Sequence, residues 1–170
     1  MELPISLQQH KQEAPTLLRI AVVTVSDTRT LENDLGGKLI EELVSAASYQ
    51  VVSRQIIRDE ADLLRSEVVR LVRSDAQAIL MTGGTGIGSR DVTPEAIEPI
   101  LERSIPGFGE LFRYLSFQEI GAASMLSRAF AGVVEKKVLF AMPGSPAGVR
   151  LAMEQLILPE LPHLVYHAGK

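Results

Sequence analysis

Apolar positions along this chain fall into two kinds of block. Residues 18–25 (LRIAVVTV), 49–57 (YQVVSRQII), 78–81 (AILM), 130–134 (FAGVV) and 138–142 (VLFAM) are short runs bounded by turn residues, most of them rich in β-branched side chains. Runs of this length predict buried strands rather than helices. Helical stripes lie between them. Leu35, Leu39, Ile40, Leu43 and Val44 share one face, and Leu63, Leu64, Val68, Leu71 and Val72 share another, with Asp59 read as the N-cap of that second helix. Further helices are expected over 94–103 and 110–120, with 123–128 continuing after a break, and a last one carries Val149, Leu151, Ala152, Leu156 and Ile157. Strands alternating with helices predict an α/β domain with a mostly parallel central sheet and right-handed crossovers.

The third strand runs into the most informative stretch. Thr82-Gly83-Gly84-Thr85-Gly86-Ile87-Gly88 holds four glycines in seven residues, which lets the backbone turn sharply and approach a ligand without Cβ clashes. Asp91 follows, then Thr93-Pro94-Glu95, read as N-cap, first helical residue and first-turn acid. This order of strand, glycine loop, carboxylate and helix start suits a bound phosphate with its metal ion. Neither common glycine signature is present. Ser89-Arg90 stand where a P-loop needs Lys-Ser/Thr, and Ser89 occupies the third glycine of a dinucleotide fingerprint.

Three loops follow strands: Ser26-Asp27, the glycine loop with Asp91 and Arg90, and Pro143-Gly144-Ser145. Asp59 follows a fourth strand. A parallel sheet gathers such loops at one edge, where ligands bind. Asp59 and Asp91 are therefore candidate Mg²⁺ ligands, since Mg²⁺ is usually shared between one or two carboxylates and substrate phosphates. Each also has a plainer reading, Asp59 as a cap and Asp91 as a turn carboxylate. Ser145 suits either a phosphate donor or a cap. His163 and His167 have the spacing of a helical zinc pair but lack a third ligand.

At 170 residues and 46% hydrophobic content the chain suits one folded domain over 17–170, preceded by a polar arm over 1–16 that has no apolar core of a signal peptide. Absence of cysteine removes thiol nucleophiles and disulfides and fits a cytoplasmic location. A net charge of −4 and 5% aromatic residues argue against a nucleic-acid surface. No apolar run approaches the roughly 20 residues needed to span a bilayer.

TGGTG with RDVTPEA, PGFGE at 106–110, SRAFAG at 127–132 and MPGSP at 142–146 resemble the MoaB/MogA family of molybdenum cofactor biosynthesis proteins, more closely MoaB. The resemblance implies a three-layer α/β sandwich that assembles into trimers or hexamers. It also implies binding of molybdopterin and its adenylylation with Mg²⁺ and ATP, releasing pyrophosphate, with other molybdenum cofactor synthesis enzymes as partners. A noncatalytic oligomer that stores or hands over the pterin is the alternative. On this resemblance Asp59 and Asp91 are the essential aspartates. Ser26, Asp27, Thr82, Gly83, Gly84, Thr85, Gly86, Arg90, Pro143, Gly144 and Ser145 line the substrate site. One departure is that Ala147 and Gly148 replace a lysine that many members carry after the PGSP turn, for which Arg90 or Arg150 is the substitute.

Overall fold

The computed structural model describes residues 15–170, so the expected N-terminal arm lies almost wholly outside the described residues. Among the described residues six strands form one sheet in the order β2-β1-β3-β6-β5-β4. They are β1 (Arg19–Val25), β2 (Gln50–Ile57), β3 (Ala78–Thr82), β4 (Arg103–Ser104), β5 (Phe130–Val134) and β6 (Lys137–Met142). β2, β1, β3 and β6 pair in parallel, whereas β5 and β4 add antiparallel strands at one side. The hairpin from β5 to β6 turns on Glu135 and Lys136, both with positive φ (42° and 66°), as a tight turn matched to strand twist requires.

Helices cover both faces. They are α1 (Leu35–Ala46), α2 (Ala61–Val72), α3 (Thr93–Ile97), α4 (Pro106–Ile120), α5 (Pro146–Ala152) and α6 (Leu158–Gly169). The period-two geometry of a strand sends alternate side chains to opposite faces. Ile20, Val22, Leu80, Val138 and Phe140 pack under α1, α4, α5 and α6. Their neighbours Ala21, Val23, Ile79, Met81 and Leu139 pack under α2 and α3. Two apolar layers around one sheet make the expected three-layer sandwich, and burial on both faces explains why these strands read as unbroken apolar runs. Phe108 meets Phe140 edge to face with ring centroids 5.0 Å apart, a geometry that adds roughly 0.5–1.5 kcal/mol to the area buried.

Several local expectations are corrected. Asp59 does not cap α2; extended Glu60 takes that position without a side-chain bond, while Asp59 turns towards the glycine loop. Thr93 is the first residue of α3 and not its cap. Its Oγ1 donates to the Gly83 carbonyl at 3.1 Å. The helix expected over 94–103 stops at Ile97 and tightens into a 3₁₀ turn, Glu98–Ile100, because Pro99 has no N–H to continue it. The short edge strand β4 follows.

α4 begins earlier than expected, with Pro106 in its first turn, where the missing N–H costs nothing. Its continuation over Gly121–Leu126 is a 3₁₀ segment. Leu63 is exposed at 45%, since one residue rotates it about 100° from the buried stripe of Leu64, Val68 and Leu71. α5 passes through a π-helical turn, Met153–Ile157, into α6. The wider turn precedes Pro159, whose ring would crowd the carbonyl four residues back.

Candidate functional site

Strand register decides where the loops emerge. Thr24 is level with Thr82, and Thr82 with Met142, so β1, β3 and β6 end at the same height. Ser26 N–H donates to the Ile57 carbonyl at 2.9 Å, which brings the end of β2 to that edge too. Sequence continues from β1 to β2 on one side, then recrosses to β3 on the other. The glycine loop thus rises beside the point where strand order reverses, where open α/β sheets bind ligands.

The loop is held by specific bonds. Gly83 N–H donates to the Met142 carbonyl at 3.0 Å, and Thr82 Oγ1 donates to the Pro143 carbonyl at 2.8 Å. These bonds lock the glycine loop to the Pro143-Gly144-Ser145 turn. Gly83 and Gly84 have φ of +102° and +65°. A Cβ at Gly83 would sit 2.3 Å from the Val25 carbonyl oxygen, so glycine is required for both conformation and space. At Gly84 a Cβ would lie 3.1 Å from Asp59 Oδ1, and at Gly86 it would lie 2.8 Å from Asp91 Oδ2. The two aspartates therefore flank the same loop. Asp91 also braces it, its Oδ2 accepting from Gly88 N–H at 2.8 Å.

Charge is concentrated here. Arg90 donates to Asp27 Oδ2 through Nε at 2.9 Å and Nη2 at 2.7 Å. That hydrogen bond holds the Asp27 carboxyl below its ordinary range. Asp27 Oδ1 in turn accepts from Asp59 N–H at 3.2 Å. Asp59 behaves oppositely. Burial pushes its carboxyl up, and the negative charges of Asp27 and Asp91 push it further. Ser145 is the N-cap of α5, its Oγ accepting from Gly148 N–H at 3.2 Å. Arg150 is paired with Glu154 and lines a groove with Leu115, Gln118 and Ala147.

Two groups were not anticipated. Arg128, inside the SRAFAG stretch, donates to the Gly86 carbonyl through Nε and to the Asp91 carbonyl through Nη2, both at 2.7 Å. It also pairs with Glu95, and its own N–H donates to the Thr85 carbonyl at 2.8 Å. One side chain thus ties the far end of the glycine loop to the start of α3. Asp34 is 3% exposed and caps α1 by accepting from Gly37 N–H at 2.9 Å. It also accepts from Thr24 Oγ1 at 2.7 Å and from Arg54 Nη2 at 3.1 Å. This buried pair anchors the loop after β1.

Three cavities open along the edge. One of about 280 Å³ is largely apolar, bounded by Thr85, Gly86, Phe112, Leu126, Ser145 and Leu151. A second of about 430 Å³ lies among Ser26, Arg29, Thr82, Gly144 and Ser145. A third of about 600 Å³ has Ser26, Asp27, Arg29, Arg54 and Arg58 on its walls. A wider depression of about 940 Å³ carries Glu95, Glu98, Glu102 and Glu110 together with Arg113 and Arg128. The loops that follow β1, β3 and β6 line the three smaller cavities, which places the candidate site there.

A family model described as "Probable molybdopterin binding domain" matches residues 21–163. The chain belongs to the MoaB/MogA family. Molybdenum cofactor biosynthesis protein B of Bacillus subtilis (strain 168) is 48% identical over 168 residues, covering 98% of this chain and 99% of that protein. A crystal structure of a molybdenum cofactor biosynthesis protein B superposes with TM-score 0.88 at 46% identity, covering 91% of this chain and 98% of the other. The tungsten cofactor synthesizing protein MoaB from Pyrococcus furiosus gives TM-score 0.84 at 34% identity, with coverage of 92% and 100%. Family membership agrees with the resemblance drawn from the motifs, and the three-layer fold is shared. Among the described residues no helix is long and apolar enough to cross a membrane.

Proposed function

We propose that this MoaB/MogA family member binds molybdopterin and adenylylates it with ATP. A phosphate oxygen of molybdopterin attacks the α-phosphorus of ATP. A new P–O bond forms, the bond to the β-phosphate oxygen breaks, and pyrophosphate leaves. Such a reaction asks the protein mainly to align reactants and neutralise charge. The observation that carries this reading is the glycine loop flanked by Asp59 and Asp91. Gly83 and Gly84 allow close approach of phosphate, and the apolar cavity beside Gly86 suits the flat pterin ring. Arg29 and Arg58 on the wall of the neighbouring cavity suit the triphosphate.

A magnesium ion fits the residues present. Asp59 carries a carboxyl raised by burial and by like charges, a conflict that a cation relieves. Among the described residues there is no cluster of three or more metal-binding side chains, which suits an ion held by one or two carboxylates and completed by substrate phosphates. Asp59 and Asp91 would hold it, and when bound it would neutralise phosphate charge. Arg90 would keep Asp27 ionised and in place, and Ser145 would fix the start of α5 against the loop.

The alternative is a noncatalytic oligomer that stores or hands over molybdopterin, favoured by Ala147 and Gly148 where many family members carry a lysine. Incubating the chain with molybdopterin, Mg²⁺ and ATP and following pyrophosphate separates the two. Release that depends on molybdopterin supports the enzyme, while tight binding without release supports the carrier. A homo-oligomer is part of the same proposal. Leu111, Tyr114, Phe117, Ile120, Met125 and Leu126 leave 49–72% of their surface exposed along α4 and its 3₁₀ extension, and so many exposed large apolar side chains on one segment favour an interface.

A further inference from the structure

The adenylylation chemistry leaves one arrangement unused, on the last helix. Ser145 caps α5, and His163 lies eighteen residues further on, roughly 27 Å along the helix at 1.5 Å per residue. His163 Nε2 and His167 Nε2 face each other at 2.9 Å across one helical turn. The two rings cross at 68° with centroids 4.6 Å apart, so their edges and not their faces converge. On the opposite side of His163, Nδ1 lies 3.1 Å from Glu160 Oε2.

We propose that His163 and His167 form a site for a first-row divalent transition-metal ion such as Zn²⁺ or Ni²⁺, oriented by Glu160. Imidazole suits these ions and discriminates against Mg²⁺ and Ca²⁺, which take oxygen. Glu160 accepts from Nδ1–H of His163. This tautomer leaves the Nε2 lone pair aimed at the point that His167 Nε2 also addresses. A carboxylate behind a ligating histidine is the usual support of such a metal site. In the metal-free pair His167 donates its Nε2 proton to His163. Binding requires that proton to move to Nδ1, so both Nε2 atoms offer lone pairs. Metal–nitrogen bonds of about 2.0–2.1 Å need the two nitrogens to open by only a few tenths of an ångström, within reach of ring rotation. Glu160 is a supporting residue and not a third ligand, because it faces Nδ1 of His163 and not the Nε2 side that His167 shares. The chain has no cysteine and only three histidines, so competing soft donors are few.

The test uses the full chain, stripped with chelator and titrated with Zn²⁺ or Ni²⁺ alone against a chromophoric chelator, at constant pH and without nucleotide. One ion per chain is expected, undisplaced by excess Mg²⁺. H167Q changes an exposed side chain and should weaken uptake at least about tenfold while a cooperative circular dichroism melt is retained. The double variant H163Q/H167Q should lose the site, and E160Q should fall between wild type and H167Q. No saturable uptake by the wild type, or uptake by H167Q equal to wild type, overturns the proposal.

Discussion

Asp91 has two jobs in this account, and one substitution separates them. Its Oδ2 accepts from Gly88 N–H at 2.8 Å, a brace across the glycine loop. Its charge is assigned to the cation and phosphates. In Asp91→Asn the amide oxygen still accepts from Gly88, and the side-chain volume is unchanged. Stability should therefore stay within about 0.5 kcal/mol of wild type. Turnover should fall on the order of 10²–10³-fold, the scale of removing one group that stabilises transition-state charge, while molybdopterin affinity changes little. Asp91→Ala removes the brace as well and should cost about 1 kcal/mol more, or about 2–4 °C in Tm for a chain of this size. Thermal melts at fixed protein concentration, molybdopterin titration and initial adenylylation rates give the three readings. If Asp91→Asn keeps most of the wild-type rate, the charge role is wrong and Asp91 is only a brace.

Further outcomes follow from other contacts. Arg128→Met leaves the Gly86 and Asp91 carbonyls without their donor; at a partly exposed site this should cost about 2–3 kcal/mol, a Tm drop of roughly 5–10 °C, and an unchanged melt would refute the staple. Asp59 has a folded-state pKa raised above its ordinary value, so between those two values the folded state binds more protons than the unfolded one. Stability from this group is gained as pH falls through that window and lost as pH rises. Asp59→Asn should therefore melt no lower than wild type at neutral pH while losing turnover, and a clearly lower Tm there would contradict the assignment. Light scattering at micromolar concentration should return a multiple of the 18.5 kDa chain mass, whereas a stable monomer would remove the case for an interface along α4.

Much of the fold was legible because the strands are buried on both faces. Runs such as AILM and VLFAM have no polar alternation to blur them, and glycine or proline marks their ends. The parallel order followed from helices between strands, and with it the loops gathered at one edge. What the sequence hid was mostly side-chain direction. Asp59 and Thr93 are residue types that cap helices, yet both turn to tertiary partners at the glycine loop. Local spacing carries no trace of that choice. Arg128 is an isolated basic residue, about forty positions from the carbonyls it binds, and no periodic pattern announces it. The Thr24-Asp34-Arg54 set joins three elements in the same way. β4 has two residues, too few to form a pattern, and the π turn before Pro159 has no reliable sequence signal.

The most direct test of the central claim follows the label of ATP. The chain is incubated with molybdopterin, Mg²⁺ and either α-labelled or γ-labelled ATP, and the pterin product is isolated. Transfer of adenylate requires the α-label to travel with molybdopterin and the γ-label to leave as pyrophosphate, in equal amounts. Retention of all α-label in ATP, with molybdopterin bound but unmodified, would contradict the adenylyltransferase reading and leave the carrier.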